Sequence, residues 1–200
     1  MMLQNGFLSP NRLPEQVIVS SLEDLKEYCD ALHKIGLKIV YTQGSFDLKH
    51  VGHDRYLAKA RMFGDILVVG VDADEKIRRT KGENRPIVAE DERMEQLSYL
   101  SSVGLVILKQ VSFPHLAIQK TIHPDVLVIS KSTKEFSADE LAEYQAHCVR
   151  LEVLEPQAET STTARVRKLM IDFKEKLTLG LGAALPGLVE QLSREFAGRE

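Results

Sequence analysis

The 200-residue sequence predicts a doubly wound, mostly parallel α/β sheet with a C-terminal helical extension. Three observations lead to that class. Apolar runs of strand length alternate with stretches of helical period from Leu22 to Leu154, the pattern of strand–helix units joined by right-handed crossovers. The run Ile66–Val71 is aliphatic throughout apart from Gly70, as expected of a strand covered by helices on both faces. Finally, the decapeptide Gly44-Ser45-Phe46-Asp47-Leu48-Lys49-His50-Val51-Gly52-His53 follows the apolar run Leu37–Tyr41 directly, so a strand leads into a glycine turn and then a helix start.

Each element has its own local reason. Ser21 with Asp24 forms a capping-box-like start for a helix over Leu22–Lys34, in which Leu22, Leu25, Tyr28, Cys29, Leu32 and Ile35 follow a helical period, and Gly36 ends it. Leu37–Thr42 reads as a buried strand and His53–Phe63 as a helix stopped by Gly64. Strand Ile66–Val71 follows, then a polar loop, Arg78–Arg85, and a helix, Asp91–Ser98. Val103–Leu108 is the next strand, His115–Ile122 a helix, Val126–Ile129 a strand, Ala138–Cys148 a helix and Arg150–Leu154 the last strand. Thr160-Ser161-Thr162-Thr163 supplies an N-cap for a final helix over Ala164–Phe173.

Length and 44% hydrophobic content suit one domain with an ordinary core. The expected organisation is an N-terminal arm over residues 1–20, the α/β domain over 21–172 and a helical extension over 173–200. Met1–Pro14 lacks the charged start and apolar core of a secretion signal. Cys29 and Cys148 are isolated in a chain that needs no covalent staples, so free thiols and a reducing cytoplasm are expected. A net charge of -3 argues against a general nucleic-acid binder, since phosphate backbones are held by clustered Lys and Arg. The stretch Leu177–Val189 is too short for a membrane span and is interrupted by Gly180, Gly182, Pro186 and Gly187. A C-terminal helical hairpin packed on the domain or on a second subunit is the expectation there.

The decapeptide carries the chemistry. A turn between strand and helix exposes backbone N–H groups, the first helical turn leaves donors unpaired, and the aligned peptide dipoles favour an anion there. His50 and His53, three residues apart, lie on one face of that helix entry and can meet phosphate charge as it shifts during a reaction. Either ring can donate a hydrogen bond at neutral pH, and the sequence leaves the tautomer open. The other four histidines, His33, His115, His123 and His147, read as ordinary surface or core residues.

Gly-x-Phe-Asp-x-x-His-x-Gly-His resembles the signature of the cytidylyltransferase-like nucleotidyltransferases. Several further segments are similar to that family: Tyr56–Arg61, Gly64–Asp74, Lys81-Gly82, Arg85-Pro86-Ile87, Glu92-Arg93, Pro124–Val128 and Ser161-Thr162-Thr163. The resemblance runs from about Ser21 to Leu169 and is strongest to the adenylyltransferase half of the ADP-heptose synthases. It implies a Rossmann-like nucleotidyltransferase fold and an enzyme that joins a nucleotide to a phosphorylated small molecule, releasing pyrophosphate. It further implies magnesium, an acceptor that is a sugar phosphate or polyol phosphate, and a homodimer, with no nucleic-acid or membrane partner. ATP is favoured over CTP.

On that resemblance His50, His53 and Lys81 are the catalytic residues, Lys81 as a mobile-loop lysine reaching the phosphates of both substrates. Gly44, Ser45, Phe46, Asp47 and Gly52 belong to the nucleotide site, with Asp47 ordering either the turn or a metal-bound water. Ser161, Thr162 and Thr163 form a second helix N-terminus that suits phosphate, although an ordinary N-cap explains the same residues. Arg85 and Arg93 suit substrate phosphate, since arginine takes it in a bidentate fork; Arg93 equally suits a structural ion pair with Glu90 or another carboxylate. No residue is assigned to a metal. The chain departs from the heptose enzymes at Ile129-Ser130-Lys131-Ser132, where they carry Lys-Gly-Gly-Asp, and it has no attached sugar-kinase domain. The alternatives are a cytidylyltransferase for glycerol phosphate or a related alcohol phosphate, and a nucleotide-binding regulatory module without turnover.

Overall fold

The structure, a computed structural model, describes residues 12–131, 137–157 and 162–197. Its chain divides into two compact units, Met1–Glu159 and Thr160–Glu200.

The first unit is a six-stranded, fully parallel sheet built from β1 (Ile18–Val19), β2 (Ile39–Gly44), β3 (Ile66–Asp72), β4 (Leu105–Lys109), β5 (Val126–Ser130) and β6 (Arg150–Leu154). The spatial order is β1-β4-β3-β2-β5-β6. From β2 the chain winds outward through β3 and β4, then returns to the other side of β2 for β5 and β6. The winding therefore reverses at β2 and β5, and in such sheets ligands bind beyond the carboxyl ends of the strands at that reversal.

Alternate residues of each strand supply two separate cores. Val40, Leu67, Val69, Val106 and Val128 face α3 (Val51–Arg61) and α5 (Glu90–Ser98), meeting Leu57, Ala60, Met94 and Leu97. Ile39, Tyr41, Val68, Ile107 and Leu127 face α2 (Leu22–Lys34) and α6 (Ala117–Ile122), meeting Leu25, Cys29, Leu32, Ile118 and Ile122. Helix α2 starts where expected, with the Ser21 hydroxyl accepting from the Asp24 N–H at 3.0 Å. The remaining helix of this layer, α7 (Ala138–Gln145), is capped by Ser137 and Glu140 in reciprocal fashion.

Four findings revise the sequence expectations. Of the proposed N-terminal arm, Pro14–Val17 forms a helical turn and Ile18–Val19 pairs with β4, because Val17 and Val19 complete the apolar faces at that sheet edge. The polar loop expected from Arg78 is instead the end of a helix, α4 (Asp74–Lys81). It lacks a strong apolar stripe but has acids in its first turn, bases in its last and Gly82 at its end, with φ of 97°. The helix after β5 stops at Gln145, three residues short of Cys148. In the second unit no hairpin forms: α8 runs unbroken over Thr162–Ala197 with Pro186 inside it. The proline removes one helical hydrogen bond without ending the helix, flanked as it is by good helix formers such as Ala183, Ala184, Leu185 and Leu188.

Cys29 and Cys148 are free thiols. Among the described residues no helix is long and apolar enough to cross a membrane.

Candidate active site

Strand β2 ends at Gly44, and the turn that follows is held in an unusual backbone. Phe46 and Leu48 both adopt left-handed φ values, 50° and 49°, which side chains with a Cβ seldom take. Such strain, on the order of 1–3 kcal/mol per residue, persists only where surrounding contacts over-determine it. Those contacts are present. Phe46 is buried in the core, its ring lies edge-on to His53 with centroids 5.7 Å apart, and a Cβ on Gly44 would sit 3.3 Å from it.

Asp47, also buried, reaches across the chain rather than into the turn. Its Oδ1 accepts from the N–H groups of Ile87 and Val88, both at 3.1 Å, and its Oδ2 lies 3.0 Å from the Arg85 guanidinium. Asp47 thereby anchors the segment 85–88, a role beyond the two expected of it.

The helix start is built from the two imidazoles. His50 is the N-cap of α3, and its Nδ1 accepts from the Gly52 N–H at 3.0 Å; His53 Nδ1 accepts from the His50 N–H at 3.2 Å. Side-chain oxygens of Ser, Thr or Asp usually do this work. Because both Nδ1 atoms accept, a neutral ring must carry its proton on Nε2. The tautomer that the sequence left open is therefore fixed by backbone geometry. The ring centroids are 4.3 Å apart, and burial, followed by the neighbouring His50, pushes His53 down to about 4, so His53 is neutral at pH 7.

A buried polar triad secures α3 to the sheet: the Thr42 and Tyr56 hydroxyls lie 2.7 Å apart, and they donate to the Val128 carbonyl at 2.9 and 3.2 Å. It spans β2, α3 and β5 at the reversal of the winding. The sequence marks Tyr56 only as part of a family-like segment and Thr42 only as the end of a strand, for neither carries a sign of this contact without the register that joins them.

The cationic side chains separate into three roles. Lys81, last residue of α4, brings its Nζ to 3.0 Å from the Ser45 hydroxyl, so it does stand over the turn, but from a helix end rather than from a loop. Desolvation, followed by the Arg85 charge, holds its ammonium below the ordinary lysine range. Arg85 is partly exposed and paired with Asp47. Arg93 is different: its side chain is 0% exposed and forms an ion pair with Asp74 at 2.6 Å. Its nitrogens also donate to the carbonyls of Ser45, Val88 and Asp72, the last two at 2.9 Å. Four of the five guanidinium N–H bonds are thereby engaged. The phosphate contact expected of Arg93 gives way to a structural one, since a covered fork already bound to carbonyls has nothing to offer an anion. The ion pair expected of Arg93 with Glu90 or another carboxylate forms with Asp74, while the Glu90 carboxylate caps α4 by accepting from the Asp74 N–H at 2.6 Å.

Gly52 is buried in the first turn of α3. Thr162 and Thr163 begin α8. Ser161 lies outside the described residues, as does Ser132 of the altered segment after β5. Among the described residues no cluster of three His, Cys, Asp or Glu side chains forms a metal site.

A parallel sheet whose winding reverses beside a strained turn and a histidine-capped helix defines a nucleotide-handling α/β enzyme domain. Comparison with known proteins places it more narrowly. The sequence profile of the cytidylyltransferase-like family matches residues 41–168. The chain belongs to that family. Among curated proteins it is similar to the bifunctional protein HldE of Aliarcobacter butzleri, 42% identical over 110 residues, 55% of this chain and 23% of that protein. With HldE of Campylobacter curvus it shares 50% identity over 91 residues, 46% of this chain and 19% of that protein. The matched part thus spans less than a quarter of these relatives. Among solved structures, the lipopolysaccharide core biosynthesis protein of Thermoplasma volcanium superposes with a TM-score of 0.51 at 26% identity, covering 63% of this chain and 100% of that one.

Proposed function

We propose that this protein transfers a nucleoside monophosphate, AMP in preference to CMP, from a nucleoside triphosphate to a sugar phosphate or polyol phosphate. The observation that carries this reading is the pair of imidazoles at the start of α3, with both Nδ1 atoms accepting from backbone N–H groups, which puts the proton of each neutral ring on Nε2. An acceptor phosphate oxygen attacks the α-phosphorus in line; the new P–O bond forms as the bond to the bridging α–β oxygen breaks, and pyrophosphate leaves with the electron pair. Such a reaction needs positioning and charge stabilisation and no covalent enzyme intermediate. His50 and His53 donate to phosphate oxygens as charge develops, without rotating to do so. Lys81 follows the same charge from the end of α4. Arg85 and the Thr162–Thr163 helix start are assigned to further phosphate contacts, together with Ser161.

Magnesium enters with the triphosphate in this reading. The carboxylates beside the turn are engaged, Asp47 with Arg85 and the 85–88 segment and Asp72 with Lys76, and among the described residues no carboxylate cluster forms a resident cage. A magnesium ion held chiefly by substrate phosphates and water needs none. A sugar phosphate acceptor is supported by the resemblance to HldE and to the core biosynthesis protein. The proposed assembly is a homodimer in the cytoplasm, supported by the exposed apolar side chains Leu177, Leu179, Leu185 and Leu188 of α8.

The test is pyrophosphate release from ATP, CTP, GTP and UTP with magnesium and a panel of phosphorylated sugars and polyols. ATP is expected to support the highest rate. Release with CTP and glycerol 3-phosphate alone would shift the assignment to a cytidylyltransferase, and nucleotide binding without release from any mixture would make the protein a regulatory binding module.

A further inference from the structure

A second polar cluster occupies the carboxyl ends of β2, β3 and β4, on the sheet face covered by α2 and α6, whereas α3 packs on the other. Strands β2 and β4 are separated by β3 and so lie roughly 9–10 Å apart. Even so, Lys109 Nζ on β4 is 2.7 Å from Gln43 Oε1 on β2. Gly70 makes this possible. It pairs with Gln43 on one side and Ile107 on the other, and a Cβ there would come within 2.4 Å of the Tyr41 hydroxyl. That hydroxyl donates to Gln43 Oε1 at 3.2 Å, and Gln119 Nε2 approaches the same oxygen from α6 at 3.4 Å.

The orientation of every amide in the cluster follows from one fact: an ammonium can only donate. Lys109 therefore requires the oxygen of Gln43, and the Gln43 amide NH2 takes no part in that contact. The same oxygen then requires the NH2 of Gln119, which leaves Gln119 Oε1 buried with no hydrogen-bond partner among the described residues, in a residue that is itself fully buried. Buried acceptors in native structures are nearly always satisfied, so an orphan calls for an explanation. Gln43 and Lys109 are partly exposed, which gives the cluster access to solvent at the strand ends. Burial, followed by the nearby Lys76, pushes Lys109 down to about 8, well below an ordinary lysine.

The cluster thus presents two sets of donors, the Gln43 amide and the Lys109 ammonium, together with an acceptor that lacks a donor. A hydroxyl answers both needs because it gives and takes a hydrogen bond. A carboxylate can only accept, and a quaternary ammonium can do neither. We infer that Gln43, Lys109 and Gln119 read hydroxyl groups of the acceptor, and so select polyhydroxylated phosphates over phosphates that end in a quaternary ammonium. This rests on the reading of the protein as a transferase with a phosphorylated acceptor, and it assigns the acceptor's non-phosphate part to the α6 side of β2.

Calorimetry on the full chain separates the two claims. Glycerol 3-phosphate, glucose 1-phosphate, a heptose 1-phosphate and phosphocholine are titrated into wild type, Lys109→Met and Gln43→Leu, with ATP and magnesium in a parallel arm. At least one hydroxylated phosphate is expected to bind wild type tenfold or more tightly than phosphocholine. Both substitutions should weaken that binding by tenfold or more while ATP affinity stays within twofold, and melting curves check that each variant is folded. Hydroxylated phosphates binding no better than phosphocholine would overturn the inference, as would unchanged affinity in both folded variants. Failure of ATP to bind, with the sugar-phosphate results as expected, would remove nucleotidyl transfer and leave the hydroxyl site standing.

Discussion

The turn at residues 44–53 and the segment at residues 81–93 face one another across the candidate site, yet they are organised in opposite ways. In the turn, the two histidines and Phe46 perform tasks near their own positions in the chain: His50 and His53 cap the helix they begin, and Phe46 packs on His53. In the second segment, three cations that look alike in the sequence do unlike things. Lys81 stands over Ser45, Arg85 pairs with a buried carboxylate, and Arg93 lies beneath the site as a bolt between carbonyls. Local chemistry decides the first region and burial decides the second.

Replacing Arg93 by methionine breaks this contrast most severely. It strands Asp74 and three carbonyls, and loss of one partner from a buried ion pair costs about 3–5 kcal/mol. Chemical denaturation should show that loss, and Arg85→Met should show much less; equal losses would erase the distinction between the two arginines. Next come the histidines. His50→Ala and His53→Ala are each expected to lower turnover roughly a hundredfold or more, by analogy with removal of one preorganised donor. Turnover near wild type in either variant would return both rings to a purely structural role as caps.

Lys81→Ala should have a smaller effect, roughly tenfold on kcat with little change in the affinity for nucleotide alone, as for an interaction made mainly in the transition state. Equal loss in both would make Lys81 a simple binding residue. The smallest effect concerns pH. Since the folded pKa of His53 lies near 4 and the unfolded value near 6.5, the unfolded chain binds the extra proton between those limits. The contribution is fully favourable above about 6.5 and is lost as pH falls towards about 4. Thermal melts should therefore drop on acidification, and His53→Asn should flatten the profile across that window; an unchanged profile would contradict the burial assigned to the ring.

The same contrast explains what could be read in the sequence. Doubly wound strands and the histidine turn were legible because they are written in local period and spacing. Helix α4 was missed for want of an apolar stripe, although its acids, bases and terminal glycine were in plain view. Arg85 and Arg93 could not be told apart, since depth in the fold is a tertiary property. Gln43 and Lys109 lie 66 positions apart and meet only because of strand register and a glycine between them. Thr162 and Thr163 begin the last helix, and Ser161 lies outside the described residues.

Asp47 ties the strained turn to the segment beyond α4 so closely that the two form one closed mechanical loop. The Ile87 side chain is 55% exposed and would be taken for a surface strap, but its amide and that of Val88 end on a buried carboxylate. In hydrogen exchange these two amides should behave as members of the core, opening with the turn and α3 and not with the exposed residues around them. A strap hung in this way is fixed at its base by the aspartate of the turn, and the chain reaches it from Gly82 at the end of α4 through a turn closed by the Arg85 N–H on the Gly82 carbonyl at 3.0 Å.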